Sequence, residues 1–177
     1  MSNLAFLAVM AVLALVALLG FGLIANEGED VAVGEAVPDA PVQVLGSEEQ
    51  AQLADFEGEW ILVNFWASWC EPCRTESPAI EAYGQKHADD LTVVGINTED
   101  LSGDALEFVD EFELTWEMLR DGDGERKDAF GIFALPESFL VDPEGRLALI
   151  RRGPVDEEYL EANVTPLIEG AVVPEGA

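Results

Sequence analysis

Cys70 and Cys73 are the only two cysteines in the chain, and they lie three residues apart in the stretch WASWCEPCRTESP, residues 66–78. One C-x-x-C and a single histidine, His87, offer too few ligands for a structural zinc site, which takes about four. A loop closed over two intervening residues removes little chain entropy, so a purely stabilising disulfide is a weak alternative. The spacing suits thiol–disulfide exchange. With Cys70 at the N-cap of a helix, its sulfur faces unpaired backbone N–H groups and the positive end of the helix dipole, and both favour the thiolate. Cys73, one turn further in, is then placed to attack a mixed disulfide on Cys70 and release a reduced substrate. Pro72 restricts the backbone between them and contributes no N–H.

The surrounding pattern predicts the elements that position this pair. GEWILVNFW, residues 58–66, is an apolar run suited to a strand buried on both faces, and Glu71 to about His87 has helical spacing. LTVVGI (91–96) predicts a second buried strand, and GDALEFVDEF (103–112) predicts a helix with Leu106, Phe108, Val109 and Phe112 on one face. TWEMLRD then leads into the turn-rich DGDGE at 121–125. ESFLVD, the turn PEG and RLALIRR form a hairpin, and VDEEYLEANVTPLIEG closes the domain as one helix, with Tyr159, Leu160 and Val164 facing the core. Alternating strands and helices followed by a hairpin imply an α/β fold, with a mixed central sheet flanked by helices.

Leu4 to Ala25 is a run of 22 residues without a charge, about 33 Å long as a helix and so able to span a bilayer. The run is longer than a cleaved signal's apolar region, no basic segment precedes it and no A-x-A site follows, which favours an uncleaved anchor. Residues 1–25 are therefore expected to be a transmembrane anchor, 26–41 an acidic linker, 42–170 the folded domain and 171–177 a flexible tail. The short N-terminal tail and the acidic exit NEGED favour a single-pass protein of the cell membrane with its domain on the extracytoplasmic side. The net charge of −28 belongs wholly to the part after the anchor. Such a surface argues against nucleic acid and against anionic lipid headgroups as partners. It fits either adaptation to high salt or an ordinary acidic exported protein.

NFWASWCEPC (64–73), with Pro78 at the position of the helix-kink proline, resembles the active-site strand and helix of thioredoxin. ALPESFLVDPEGR (134–146) resembles the loop in which a cis-proline faces the disulfide. Within that superfamily the chain is similar to the membrane-anchored TlpA, ResA and CcmG (DsbE) group of thiol–disulfide oxidoreductases, on four features: the anchor, C-E-P-C, Pro-Glu-Ser after Leu135, and Asn64 where thioredoxin has a buried aspartate. The resemblance implies a cis Leu135–Pro136 bond and a thioredoxin-like fold that uses no cofactor and no metal. It also implies that Glu76, three residues after the second cysteine, supplies the active-site carboxylate. The implied partners are a disulfide-containing protein substrate, with apocytochrome c one candidate, and a membrane dithiol electron donor.

Cys70, Cys73 and Glu76 are thus the candidate catalytic residues, and Trp69, Leu135, Pro136 and Glu137 the candidate substrate-binding ones. Asn64, Trp66, Pro72 and Pro78 are expected as structural neighbours. Burial of Glu76 would raise its pKa toward neutrality and let it exchange a proton with the buried thiol. Negative charge from Glu71 and Glu76 opposes the helix dipole, which favours a reductant over a strong oxidant. Trp66 is expected in the core, and Trp69 on a docking rim. Glu137 is read either as functional or as a solvated charge, and His87 as a solvated cation at a helix C-terminus. Two other classes remain open: a copper chaperone, since paired thiolates suit Cu(I), and a peroxiredoxin-like peroxidase. The cysteine motif lacks the added His or Met of the first, and residues 62–70 lack the Pro-x-x-x-Thr/Ser-x-x-Cys of the second.

Overall fold

The computed structural model describes Met10 and residues 31–170. The expected anchor, Met10 apart, and the expected tail at 171–177 lie outside the described residues. No helix among the described residues is long and apolar enough to cross a membrane.

The run Trp60–Trp66 forms the strand on which the molecule is built. Its residues from Ile61 onward are all buried, as an apolar segment covered on both faces must be. Numbered in chain order, the strands are β1 (Val42–Val44), β2 (Gln50–Ala51), β3 (Trp60–Trp66), β4 (Leu91–Thr98), β5 (Glu117–Asp121), β6 (Glu137–Val141) and β7 (Leu147–Arg152). They form one sheet in the order β2-β1-β5-β4-β3-β6-β7. β3, β4 and β5 are parallel, β6 and β7 run antiparallel on one side, and β1 runs antiparallel to β5 on the other. The helices are α1 (Glu71–Lys86), α2 (Ser102–Glu111), α3 (Glu125–Ala129), α4 (Glu157–Asn163) and α5 (Thr165–Ile168).

Because strand side chains alternate, β3 divides the interior into two layers. Leu62 and Trp66 point into one, with Ile80 and Tyr83 of α1, Phe108 of α2, and Leu160, Val164 and Leu167 of the C-terminal helices. Ile61, Val63 and Phe65 point into the other, where Phe65, Phe130 and Phe139 pack with ring centroids 5.0 to 5.8 Å apart. Asn64 shares its parity with Leu62 and Trp66, so it faces the layer that contains α1.

Four sequence expectations change. TWEMLRD forms β5, hydrogen-bonded in parallel to β4. Glu117, Arg120 and Asp121 mask its apolar signal, and pairing with β4 decides its state. Leu106 is exposed, while Ala105 and Phe108 are the residues α2 buries. The closing helix is two helices that meet at Val164, with Pro166, which cannot donate to the preceding turn, in the first turn of the second. Residues 31–41, expected as the far half of a linker, pack on the domain. Val31 and Val37 are buried, Gly34 N–H donates to Leu147 O (2.7 Å), Leu147 N–H donates to Glu35 O (2.8 Å), and Ala36 bridges to Arg146. The free edge of β7 offers these backbone partners, which the acidic composition of the segment does not reveal.

Gly95 on β4 is required by close approach. A Cβ built there would lie 2.7 Å from Met118 Sδ and 2.9 Å from Trp66 Nε1, and the indole of Trp66 is itself stacked on Phe108 at 4.6 Å. Gly95→Ala is expected to destabilise the protein by about 1–3 kcal/mol through overpacking beneath Trp66. Urea unfolding of the two proteins checks this, and unchanged stability would show that Met118 and Trp66 move aside freely.

Candidate functional site

Strand β3 ends at Trp66, and the next four residues carry the chain over the sheet's C-terminal edge into α1. Cys70 is the N-cap of α1. Its Sγ accepts from the N–H of Cys73 (3.3 Å), which places the sulfur where the first-turn donors are free. Pro72 occupies the first turn, where a missing N–H costs nothing, and Pro78 lies inside the helix. Cys70 and Cys73 are joined as a disulfide with Cα atoms 5.3 Å apart. Cys70 retains 4% exposure and Cys73 none, so Cys70 is the sulfur that a partner can reach.

Glu76 lies one turn beyond Cys73 on the same helix face and is 1% exposed. Asn64 Nδ2 donates to its Oε1 (2.8 Å), and Val155 N–H donates to its Oε2 (2.9 Å). Asn64 stands opposite Ser138 in the β3–β6 register, and its Nδ2 also donates to Ser138 Oγ (3.1 Å). Burial pushes the Glu76 carboxyl up to about 7, against the opposing pull of the Val155 and Asn64 hydrogen bonds and of the Arg151 charge. A carboxyl in that range exchanges a proton near neutral pH in either direction.

Trp66 is a core residue, as expected. Trp69 is 62% exposed, with its indole N–H directed to Glu99 O (3.2 Å). The Leu135–Pro136 peptide is cis, as the resemblance implied. Extending the β3–β6 register one step past Phe65↔Glu137 puts Pro136 level with Trp66, at the sheet end that carries Cys70. Leu135 is half-buried and packs against both core layers.

Glu137 is not a solvated charge. It is 3% exposed and ion-paired with Arg152 (2.9 Å), and the backbone N–H groups of Phe133 and Ala134 also act on its carboxylate. Burial raises its pKa against the opposing effects of Arg152 and those donors. Its carboxylate faces inward, towards Arg152 and the loop before the cis-proline. His87 is likewise half-buried, its ring 4.4 Å from that of Tyr83.

Sequence reasoning missed the residues that hold the active-site loop. Asp100 accepts from Ser68 N–H (2.6 Å), Ser68 Oγ (2.9 Å), Asn97 Nδ2 (2.9 Å) and Leu101 N–H (2.8 Å). Arg120 donates to the Asp100 carbonyl (3.0 Å). Glu99 takes a left-handed φ of 50°, uncommon for a residue with a Cβ, at the point where its carbonyl accepts from Trp69. Two further exposed apolar side chains, Leu101 and Phe133, lie on loops at the same sheet end, Phe133 being 85% exposed. An isolated acid after a strand carries no sequence signal, and an apolar residue in a loop reads as core.

The model of the AhpC/TSA family matches residues 33–150. The thiol–disulfide oxidoreductase ResA of Oceanobacillus iheyensis is 31% identical over 153 residues, covering 82% of this chain and 80% of that protein. The thiol:disulfide interchange protein HelX of Rhodobacter capsulatus is 33% identical over 139 residues, 77% of each chain. A crystal structure from Chlorobium tepidum assigned to the thiol:disulfide interchange protein DsbE superposes with a TM-score of 0.73 at 28% identity, covering 78% of this chain and 99% of that one.

The position of Glu76 sets a pH dependence. A carboxyl raised from 4.5 to about 7 on folding stabilises fully below pH 4.5, and that contribution is lost as pH rises through 7. In urea unfolding of the oxidised protein, the stability of wild type relative to Glu76→Gln is expected to fall between pH 4.5 and 8. The change is on the order of 3 kcal/mol. A difference independent of pH would mean that Glu76 titrates as a solvated carboxylate.

Proposed function

The chain belongs to the AhpC/TSA family and is a thiol–disulfide oxidoreductase of the ResA, HelX and DsbE type, and we propose that it acts as a membrane-anchored, extracytoplasmic reductant of protein disulfides. The observation that carries the direction and the mechanism is the buried Glu76 carboxyl, poised near neutrality beneath the cysteine pair. The uncharged run Leu4 to Ala25 supports the anchor, and the acidic exit that follows supports the side of the membrane.

In the reduced protein the Cys70 thiolate attacks one sulfur of the substrate disulfide, forming a mixed disulfide and releasing the other sulfur as a thiolate. Glu76, ionised, takes the proton of the Cys73 thiol and becomes the neutral acid. The Cys73 thiolate attacks Cys70 Sγ, the protein disulfide closes, and the second substrate sulfur leaves as a thiolate. The proton held by Glu76 passes to a product thiolate, and a second comes from solvent. Two electrons have moved from the protein dithiol to the substrate. Return to the dithiol needs a membrane dithiol donor, because the extracytoplasmic side has no soluble thiol pool to supply it.

Trp69, Leu135 and Pro136, with Leu101 and Phe133, supply the apolar rim on which a polypeptide would dock. Apocytochrome c is one candidate among disulfide-containing substrates.

A Cys73→Ala variant is expected to retain its substrate on Cys70 as a mixed disulfide that reductant releases. Titration of the wild-type pair against glutathione is expected to place its potential nearer to roughly −270 mV than to roughly −120 mV. A midpoint at the oxidising end would overturn the reductant assignment. Glu76→Gln should keep the disulfide and the fold, slow reduction of a protein disulfide by roughly 10²-fold and remove the ionisation near pH 7 from the pH–rate profile. An unchanged profile would leave Glu76 a structural role only.

A further inference from the structure

Asn64 is 1% exposed on the central strand and uses only half of its hydrogen-bonding capacity. Nδ2 donates to both Glu76 Oε1 and Ser138 Oγ, yet Oδ1 is buried with no hydrogen-bond partner among the described residues. An unpaired buried acceptor is unfavourable and is tolerated where another state of the site uses it. The partners of Asn64 define that state. Ser138 is a hydroxyl, able to accept from Nδ2 or to donate to Oδ1. Glu76 is an acceptor alone while ionised, and once protonated its carboxyl also becomes a donor.

We propose that Asn64 is the positioning residue of Glu76 and that its amide reorients with the carboxyl proton. Nδ2 holds the ionised form, and after rotation about the Cβ–Cγ bond Oδ1 accepts the hydrogen of the neutral acid. The Ser138 hydroxyl serves both orientations, and Val155 N–H holds Oε2 throughout. The step involves proton transfer alone: the Cys73 S–H bond breaks, the Glu76 O–H bond forms, and no electron moves. Glu76 thereby keeps its place beside Cys73 through both halves of the cycle. An aspartate at 64 would set a second carboxylate against the first, and a leucine would leave the ionised form without its side-chain donor.

The other charges near the pair are accounted for. Arg151 on β7 favours the ionised form of Glu76, Glu137 on β6 is paired with Arg152, and Asp156 accepts from Tyr159 N–H at the start of α4. The inference deepens the proposed role of Glu76 as proton carrier and is tested apart from it.

In the oxidised full-length protein, carbon-13 NMR of the Glu76 carboxyl and nitrogen-15 NMR of the Asn64 side-chain amide are followed from pH 4.5 to 9. Both are expected to move with one midpoint near 7. In Asn64→Leu the Glu76 midpoint is expected to rise by roughly one pH unit, since the bond to the charged form that is lost is stronger than the bond to the neutral acid lost with it. A merely structural asparagine would lower the melting temperature and leave that midpoint in place. Amide signals that ignore the Glu76 titration, or a folded Asn64→Leu with an unshifted midpoint, overturn the proposal. If that variant does not fold, the wild-type amide titration decides alone. Failure of the proton-carrier role would appear in the Glu76→Gln rate profile and would leave these titrations as they are.

Discussion

A carboxyl group withdrawn from water beneath a cysteine pair is the constraint around which this molecule is arranged. Burying an ionisable group without partners is costly, so Glu76 can occupy its place only if donors reach it. The donors come from parts of the chain far from α1 in sequence: Asn64 from β3 and Val155 from the loop after β7, with Ser138 of β6 steadying Asn64. Three separate segments must therefore close correctly on one helix. The two hydrogen bonds oppose the effect of burial without cancelling it, and the balance leaves the carboxyl near 7 instead of fully ionised or permanently neutral.

The sheet order explains how the rest of the site assembles. β3 and β4 are parallel, so their following loops emerge on one edge, and antiparallel β6 begins at that same edge. The turn after β4 supplies Asp100, which fixes Ser68, and Glu99, which meets Trp69. The loop before β6 supplies the cis-proline and is held from within by Glu137 and Arg152. Crevices at the carboxyl ends of parallel strands are where α/β proteins gather functional groups, and here one carboxylate on each side fixes the loops that flank the disulfide.

Charge is distributed unevenly between surface and site. With 36 acids and eight bases, the surface carries a net self-repulsion that salt screens. Several of the scarce cations sit close to the functional machinery. Arg74 stacks over Phe108 and Phe112 and pairs with Glu111, joining α1 to α2, Arg151 acts on Glu76, and Arg152 pairs with Glu137. The two layers of aromatic and aliphatic side chains, whose packing does not rest on charge, carry the fold beneath that surface.

The sequence by itself determined most of what depends on local pattern, though the helical spacing misplaced Leu106 and ran the two closing helices together. The C-x-x-C spacing and the helix that follows, the buried strands β3 and β4, and the hairpin of β6 and β7 were legible because hydrophobic period, turn residues and motif spacing are properties of short segments, while the candidacy of Glu76 came from the resemblance that the motif carries. Tertiary structure alone decided what depends on neighbours. β5 is a strand because β4 lies beside it, and residues 31–41 are anchored because β7 offers an unpaired edge. Glu137 faces inward because Arg152 and two loop amides meet it there. Asp100 became part of the site for the same reason: Asn97 and Leu101 reach it locally, but its two bonds from Ser68, by N–H and by hydroxyl, form only when the ends of β3 and β4 are side by side. A carboxyl's environment, and with it the affinity for its proton, is set by groups that folding brings together, and no local pattern encodes it.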